Sequence, residues 1–315
     1  MLASMRQQKK DGVANYVWQL KSLPANEQWS GLAYGNGRFV AVSGGSGSGA
    51  PKLATFSTDN GNTWSTPSVI APALNTTIYR LTFGNGIFVA CGRAEPSNVV
   101  WTSPDGIAWT QRPSPVFARN ISFANGLFFL TDSNGGAVSA DAINWTAFSV
   151  GGFLGSFSNV AYGNSVYVAS NATNYIYSTT GASWSALQTW SGGAPSLGPI
   201  AYGNGFFLTA VSGGAPGIAK KSFDGFTFLN RSMGSNFGDC SGVVFTGSKF
   251  VLVNSGSGGR AFVTADGESY VQTALYPPSS SLASSPVYAN GVVMMLNSDP
   301  QFYGLSSAVY VMEIS

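Results

Sequence analysis

At 315 residues the chain is long for one ordinary domain, yet it fits a single large all-β unit. Only 9% of its residues are charged, against about 25% in ordinary soluble domains, and 44% are hydrophobic, ample for an extensive core. Histidine is absent and cysteine occurs twice, which excludes His-based catalysis, His metal ligation and a disulfide framework.

The net charge of +2 is carried near the N-terminus by Arg6, Lys9, Lys10 and Asp11. The neutral body has no bulk attraction for a phosphate backbone, so nucleic acid is not an expected partner. It also lacks the repulsion that keeps particles apart, which favours packing in an assembly. "MLASMRQQKK" has no apolar signal core, and no run approaches the roughly 18 apolar residues of a membrane span. The expectation is therefore synthesis in a cytoplasm without membrane insertion. Residues 1–14 read as an N-terminal arm and 15–315 as one domain.

Along the chain, "NYVWQLKS" (15–22) predicts a strand with an aromatic, Trp18. "LAYGNGRFVAV" (32–42) predicts two strands joined tightly, because Asn-Gly between apolar runs suits the two positive-φ positions of a type I′ hairpin. "STDNGNTW" (57–64) predicts another turn, between a third strand and a fourth carrying the aromatic. Both signals return. The aromatics before the first turn are Tyr34, Phe83, Phe123, Tyr162, Tyr202, Phe245 and Tyr288. The second turn recurs as "SPDGIAW" (103–109), "SADAINW" (139–145), "STTGASW" (178–184), "SFDGFTF" (222–228) and "TADGESY" (264–270). Four strands, A to D, repeated about every 40 to 45 residues are the pattern of a propeller blade. The seventh unit, from Ser285 to Ser315, supplies only A, B and C, and the strand of Trp18 supplies its D. The predicted fold is all-β: a seven-bladed β-propeller whose last blade is closed by the N-terminal strand, protecting its edge.

The second turn resembles the motif of the Asp-box, or sialidase-type, repeat propellers, Ser-x-Asp-x-Gly-x-Thr-Trp, residue for residue at Ser57, Asp59, Gly61, Thr63 and Trp64. The other five copies are one residue shorter, and Thr180 replaces the Asp of the fourth. The resemblance implies a structural box, with Asp and Ser bonding backbone and the aromatic packed between sheets. Turn chemistry already accounts for these residues. The repeated wording, low charge and missing signal segment are also similar to propeller proteins of tailed-phage and cyanophage particles.

In a propeller the A–B and C–D turns share one face, and the B–C and D–A connections share the other. Here the second set varies, as in "GRAEPSN" (92–98) and "ALQTWSGGAPSL" (186–197), and variable loops on a rigid scaffold are where recognition concentrates. The candidate contacts on that face are Arg93, Arg112, Phe153, Trp190, Arg231, Phe237, Arg260, Tyr276, Phe302 and Tyr303. Aromatics beside arginines suit a sugar ring or a protein interface. Glycosidase chemistry needs paired carboxylates, or a Tyr–Glu pair in sialidases. Only Glu95, Asp132, Asp239 and Asp299 are expected on the loop face, and their spacing supports no pair. No catalytic residue, metal or cofactor is expected, since each turn offers calcium one carboxylate. Cys91 and Cys240 fall on distant blades and read as free thiols.

These observations favour a non-enzymatic structural or adhesion protein of a virus particle: a phage tail, fibre or surface component. Its expected partners are other virion subunits and a host-surface glycan or protein. The alternative is a cellular lectin or protein-interaction propeller, followed by a glycoside hydrolase of sialidase type.

Overall fold

The structure, a computed structural model, describes residues 16–25, 27–44, 50–72, 75–132, 135–151, 157–171, 173–190, 198–210, 217–234, 240–254, 260–274, 285–297 and 308–314. The sequence's N-terminal arm lies outside them. They form seven four-stranded antiparallel sheets, six of which run A-B-C-D in chain order. In blade 1 these strands are Trp29–Gly35, Arg38–Ser43, Lys52–Ser57 and Ser68–Ala71. The seventh sheet takes A, B and C from Val287–Ala289, Val292–Asn297 and Ala308–Glu313, and D from the N-terminal Trp18–Ser22. Trp18 pairs with Met312, and Ser22 with Ala308. Strand A of each blade touches strand A of the next, and blade 7 meets blade 1. This is a seven-bladed β-propeller, closed as the sequence predicts.

Each blade exposes two apolar faces, so the core forms between blades. Seven buried clusters fill the seven interfaces. Val40, Val42, Ile78 and Trp101 lie between blades 1 and 2, for example, and Trp29, Phe39, Met294 and Val309 close blade 7 onto blade 1. The closing strand adds Trp18 to the interface of blades 6 and 7, where its Nε1 donates to Thr273 Oγ1 at 3.1 Å. On its other side Lys21 Nζ donates to Asn62 Oδ1 of blade 1 at 2.8 Å.

The aromatic-Gly-Asn-Gly signature has a role beyond the turn. A Cβ on Gly35 would stand 2.2 Å from the Phe83 ring of the next blade. Gly84 meets Phe123, Gly163 meets Tyr202 and Gly203 meets Phe245 in the same way. The following asparagine adopts positive φ, 48° at Asn36, as a type I′ turn requires. Its side chain then crosses to the next blade. Asn36 Nδ2 donates to Gly86 O (3.1 Å) and Pro104 O (2.8 Å), and Asn85, Asn164 and Asn204 repeat that reach.

One strand assignment needs correction. The aromatic of the second turn precedes strand D rather than lying within it. D begins afterwards, at Thr110–Pro113 in blade 2, Thr146–Ser149 in blade 3 and Leu229–Ser232 in blade 5. The Asp side chain causes this, because it binds the N–H groups ahead of the aromatic and holds that segment in the turn.

Candidate functional site

The turn face spends its polar groups on itself. Ser103 Oγ donates to Asp105 Oδ1 (3.0 Å) and accepts from Gly106 N (2.8 Å), while Asp105 Oδ1 accepts from the N–H groups of Ile107 and Ala108 (2.9 and 3.0 Å). Asp141, Asp224 and Asp266 are bound alike. Each carboxyl is held below its ordinary pKa by these donors, working against desolvation. Such groups are fixed anions, each with one oxygen already accepting from a hydroxyl and two backbone N–H groups, which unfits them for proton transfer.

The loop face offers different chemistry. Strand A of blade 2, Thr76–Gly84, has a register shift between Ile78 and Arg80, a bulge of the kind that re-aims side chains. Tyr79 meets Phe117 edge-on, with ring centroids 5.7 Å apart. The guanidinium carbons of Arg119 and Arg93 lie 5.5 and 5.9 Å from the same Phe117 ring. Arg93 pairs with Glu95 at 3.2 Å. Arg119 is exposed and has no carboxylate within ion-pair distance among the described residues. Its backbone N–H donates to Thr131 O at 3.3 Å. Blades 2 and 3 thus carry a cationic, aromatic patch on this face.

Beside the patch runs an axial cavity of about 290 Å³, lined by strand A segments including Gly31–Tyr34, Arg80–Phe83, Asn120–Phe123 and Ser158–Val160. Inner strand edges present backbone groups that need partners. Side chains three places before each aromatic supply some: Asn120 Nδ2 donates to Phe157 O and Asn159 Nδ2 to Ile200 O, both at 2.8 Å. In blade 2 this position is Arg80, whose Nη1 donates to Tyr79 O (3.0 Å) and Ser30 O (3.5 Å). Burial lowers the pKa of this guanidinium. Its neighbour Cys91 offers no counter-charge, because burial pushes that thiol up to about 12.

The sequence-predicted contacts divide. Arg93 belongs to the patch. Trp190 is not an exposed loop aromatic: it is 4% exposed, tilted against Tyr175 at 4.4 Å and edge-on to Phe228 at 5.0 Å, with Nε1 donating to Asn171 O. Apolar packing under the loop outweighs exposure there. Arg112 and Arg231 lie on strands D rather than in loops. Arg112 Nε donates to Thr102 Oγ1 at 3.1 Å, and Arg231 Nε donates to Glu268 Oε1 at 2.7 Å. Arg260 begins strand C of blade 6, with its N–H donating to Asn254 Oδ1. Phe153, Phe237, Tyr276, Phe302 and Tyr303 lie outside the described residues, as do Asp239 and Asp299.

Sequence reasoning passes over Tyr79, Arg80, Phe117 and Arg119. The repeat itself carries a signal for Arg80: the equivalent residues are Gly31, Asn120, Asn159, Pro199, Gly242 and Ser285, and only blade 2 has a cation. Among the described residues no group of three or more Cys, Asp or Glu side chains could hold a metal ion. No helix among them is long and apolar enough to cross a membrane.

No protein-family model matches the chain, and no curated protein matches it. Solved structures do match, at the level of fold. A catalytically inactive virginiamycin B lyase from Staphylococcus aureus with quinupristin superposes with a TM-score of 0.76 at 9% identity, over 96% of this chain and 100% of the other. YCF48 bound to D1 peptide gives 0.65 at 16% identity over 95% and 97%. The phage phi92 endosialidase gives 0.56 at 10% identity, over 95% of this chain and 70% of the other. The architecture is therefore shared by enzymes and by a peptide-bound protein, and the chain has the propeller fold of both.

Proposed function

We propose that this chain is a non-catalytic binding platform that takes a partner on its loop face, and that it serves as a component of tailed-phage particles. The observation that carries the binding reading is the patch of Tyr79, Arg93, Phe117 and Arg119. Arginine and aromatic side chains are those most enriched at the energetic centres of interfaces, and Arg119 has no competing carboxylate among the described residues. A protein partner is favoured over a sugar, because Phe117 is already covered by Tyr79 and two guanidinium groups and has little face left for a pyranose ring.

Two features support the particle reading. The body carries no net charge outside the N-terminal segment, which suits dense packing. The repeated "YGNG" and Ser-x-Asp wording resembles that of particle-borne propellers, and one structural neighbour is a phage endosialidase. Peptide mass spectrometry across a density gradient of source lysate tests this reading. Banding with intact particles is expected; confinement to soluble fractions would overturn the particle role.

A further inference from the structure

The Arg80 guanidinium spends one nitrogen, Nη1, on the carbonyls of Tyr79 and Ser30. Asn120 and Asn159 perform the same bridging with a neutral amide, so the bridge alone does not call for a cation. Nε and Nη2 have no hydrogen-bond partner among the described residues, and Arg80 lines the cavity. No carboxylate lies within ion-pair distance among the described residues, and among them Arg80 is the one charged residue lining this cavity.

We propose that the axial cavity binds a carboxylate through the Nε–Nη2 edge of Arg80, and that this carboxylate is an aspartate or glutamate side chain of the protein partner on the loop face. The identification rests on the binding reading above and deepens it. An edge of two parallel N–H donors matches a carboxylate bidentately. One positive charge balances a monoanion, whereas a phosphate dianion would keep excess charge among carbonyl oxygens. The cavity of about 290 Å³ has room for on the order of ten waters at ~30 Å³ each, enough for one acidic side chain. A sugar acid is disfavoured because the lining rings are packed on neighbours: Phe83 and Phe123 lie against Gly35 and Gly84, and Tyr34 lies 4.8 Å from Phe39.

The test compares the wild-type chain with Arg80→Asn, which restores the residue that blades 3 and 4 use for the bridge and should fold. Calorimetry uses an acetylated, amidated peptide of glutamates, its glutamine counterpart, acetate and sulfate. The glutamate peptide should bind, acetate should compete only weakly, and the glutamine peptide should not bind. Arg80→Asn should weaken the glutamate peptide roughly ten- to a hundredfold, the loss of charge-assisted hydrogen bonding. Arg80→Lys, which keeps the charge without the fork, should fall between. Undiminished binding by Arg80→Asn, equal displacement by sulfate, or no glutamate-peptide binding at millimolar concentration would overturn the site. Acetate binding as tightly as the peptide would overturn the partner side chain as ligand. These readouts do not involve particles, so the particle role can fail while the site stands, and the reverse.

Discussion

The side-chain amide of Asn36 in blade 1 donates to the carbonyl of Pro104 in blade 2 across 2.8 Å, and to that of Gly86 at 3.1 Å. A residue that makes a hairpin turn thereby also fastens its blade to the next. Asn36→Gly preserves the positive φ of the turn while removing both bonds, and should cost about 1–2 kcal/mol. Asn125→Gly should cost less, since Asn125 Nδ2 donates only to Tyr167 Oη at 3.1 Å. Urea unfolding measures the difference. Equal costs would mean that the turn alone matters.

The two glycines of one turn are required for different reasons. Gly86 has a φ of 79° with nothing within 4 Å of an added Cβ, so Gly86→Ala should cost about 1–2 kcal/mol of left-handed strain. At Gly84 the added carbon would lie 2.1 Å from the Phe123 ring. Gly84→Ala must push neighbouring blades apart and should cost more, about 3 kcal/mol. Gly84→Ala,Phe123→Ala, made together, should recover less than either single loss implies, because Phe123 also packs 4.9 Å from Phe128. Thermal unfolding of the set reads the ranking.

Acid should loosen the turn face in a defined window. Asp59 accepts from the hydroxyl and N–H of Thr63 (2.6 and 2.9 Å) and from Ser57 Oγ (2.8 Å), which hold its pKa down at about 2. A carboxyl depressed on folding stabilises above its ordinary value of 3.8 and loses that contribution as pH falls toward 2. With no histidine in the chain, urea midpoints should be nearly flat from about pH 8 to 5 and then drop. Asp59→Asn should drop less steeply; an unchanged slope would mean that Asp59 does not contribute to the acid transition.

Cys91 and Cys240 form no disulfide and are buried, and burial pushes both thiols up to about 12. Both should resist iodoacetamide in the folded protein and react together in denaturant. Intact-mass measurement reads zero additions and then two. A labelled native protein would show that one interface opens.

The blades are legible in the sequence because the closed ring repeats one solution: an aromatic before a tight turn recurs in every blade, and in four of them a glycine follows it to admit the next blade's ring. What the motif does between blades is not legible, since Asn-Gly already has a sufficient local explanation in its turn. Trp190 misleads for a related reason. Strand D of blade 4 is only Gln188–Thr189, so the tryptophan just beyond it folds under Tyr175 although its loop setting suggests exposure. Arg80 is detectable as a departure from the repeat, but Phe117 meets Tyr79 and Arg119 only through a bulge and a connection that no single-chain pattern encodes.

The most direct measurement of the central claim, that the loop face is the binding face, blocks one face at a time. The buried native thiols permit single exposed cysteines, Arg119→Cys on the loop face and Ile107→Cys on the turn face, where Ile107 is 41% exposed. Each is coupled to a bulky maleimide polymer and assayed for association with gradient-purified particles. The adduct at position 119 should abolish association and the adduct at 107 should leave it intact. Loss at 107 with retention at 119 would contradict this and assign binding to the turn face.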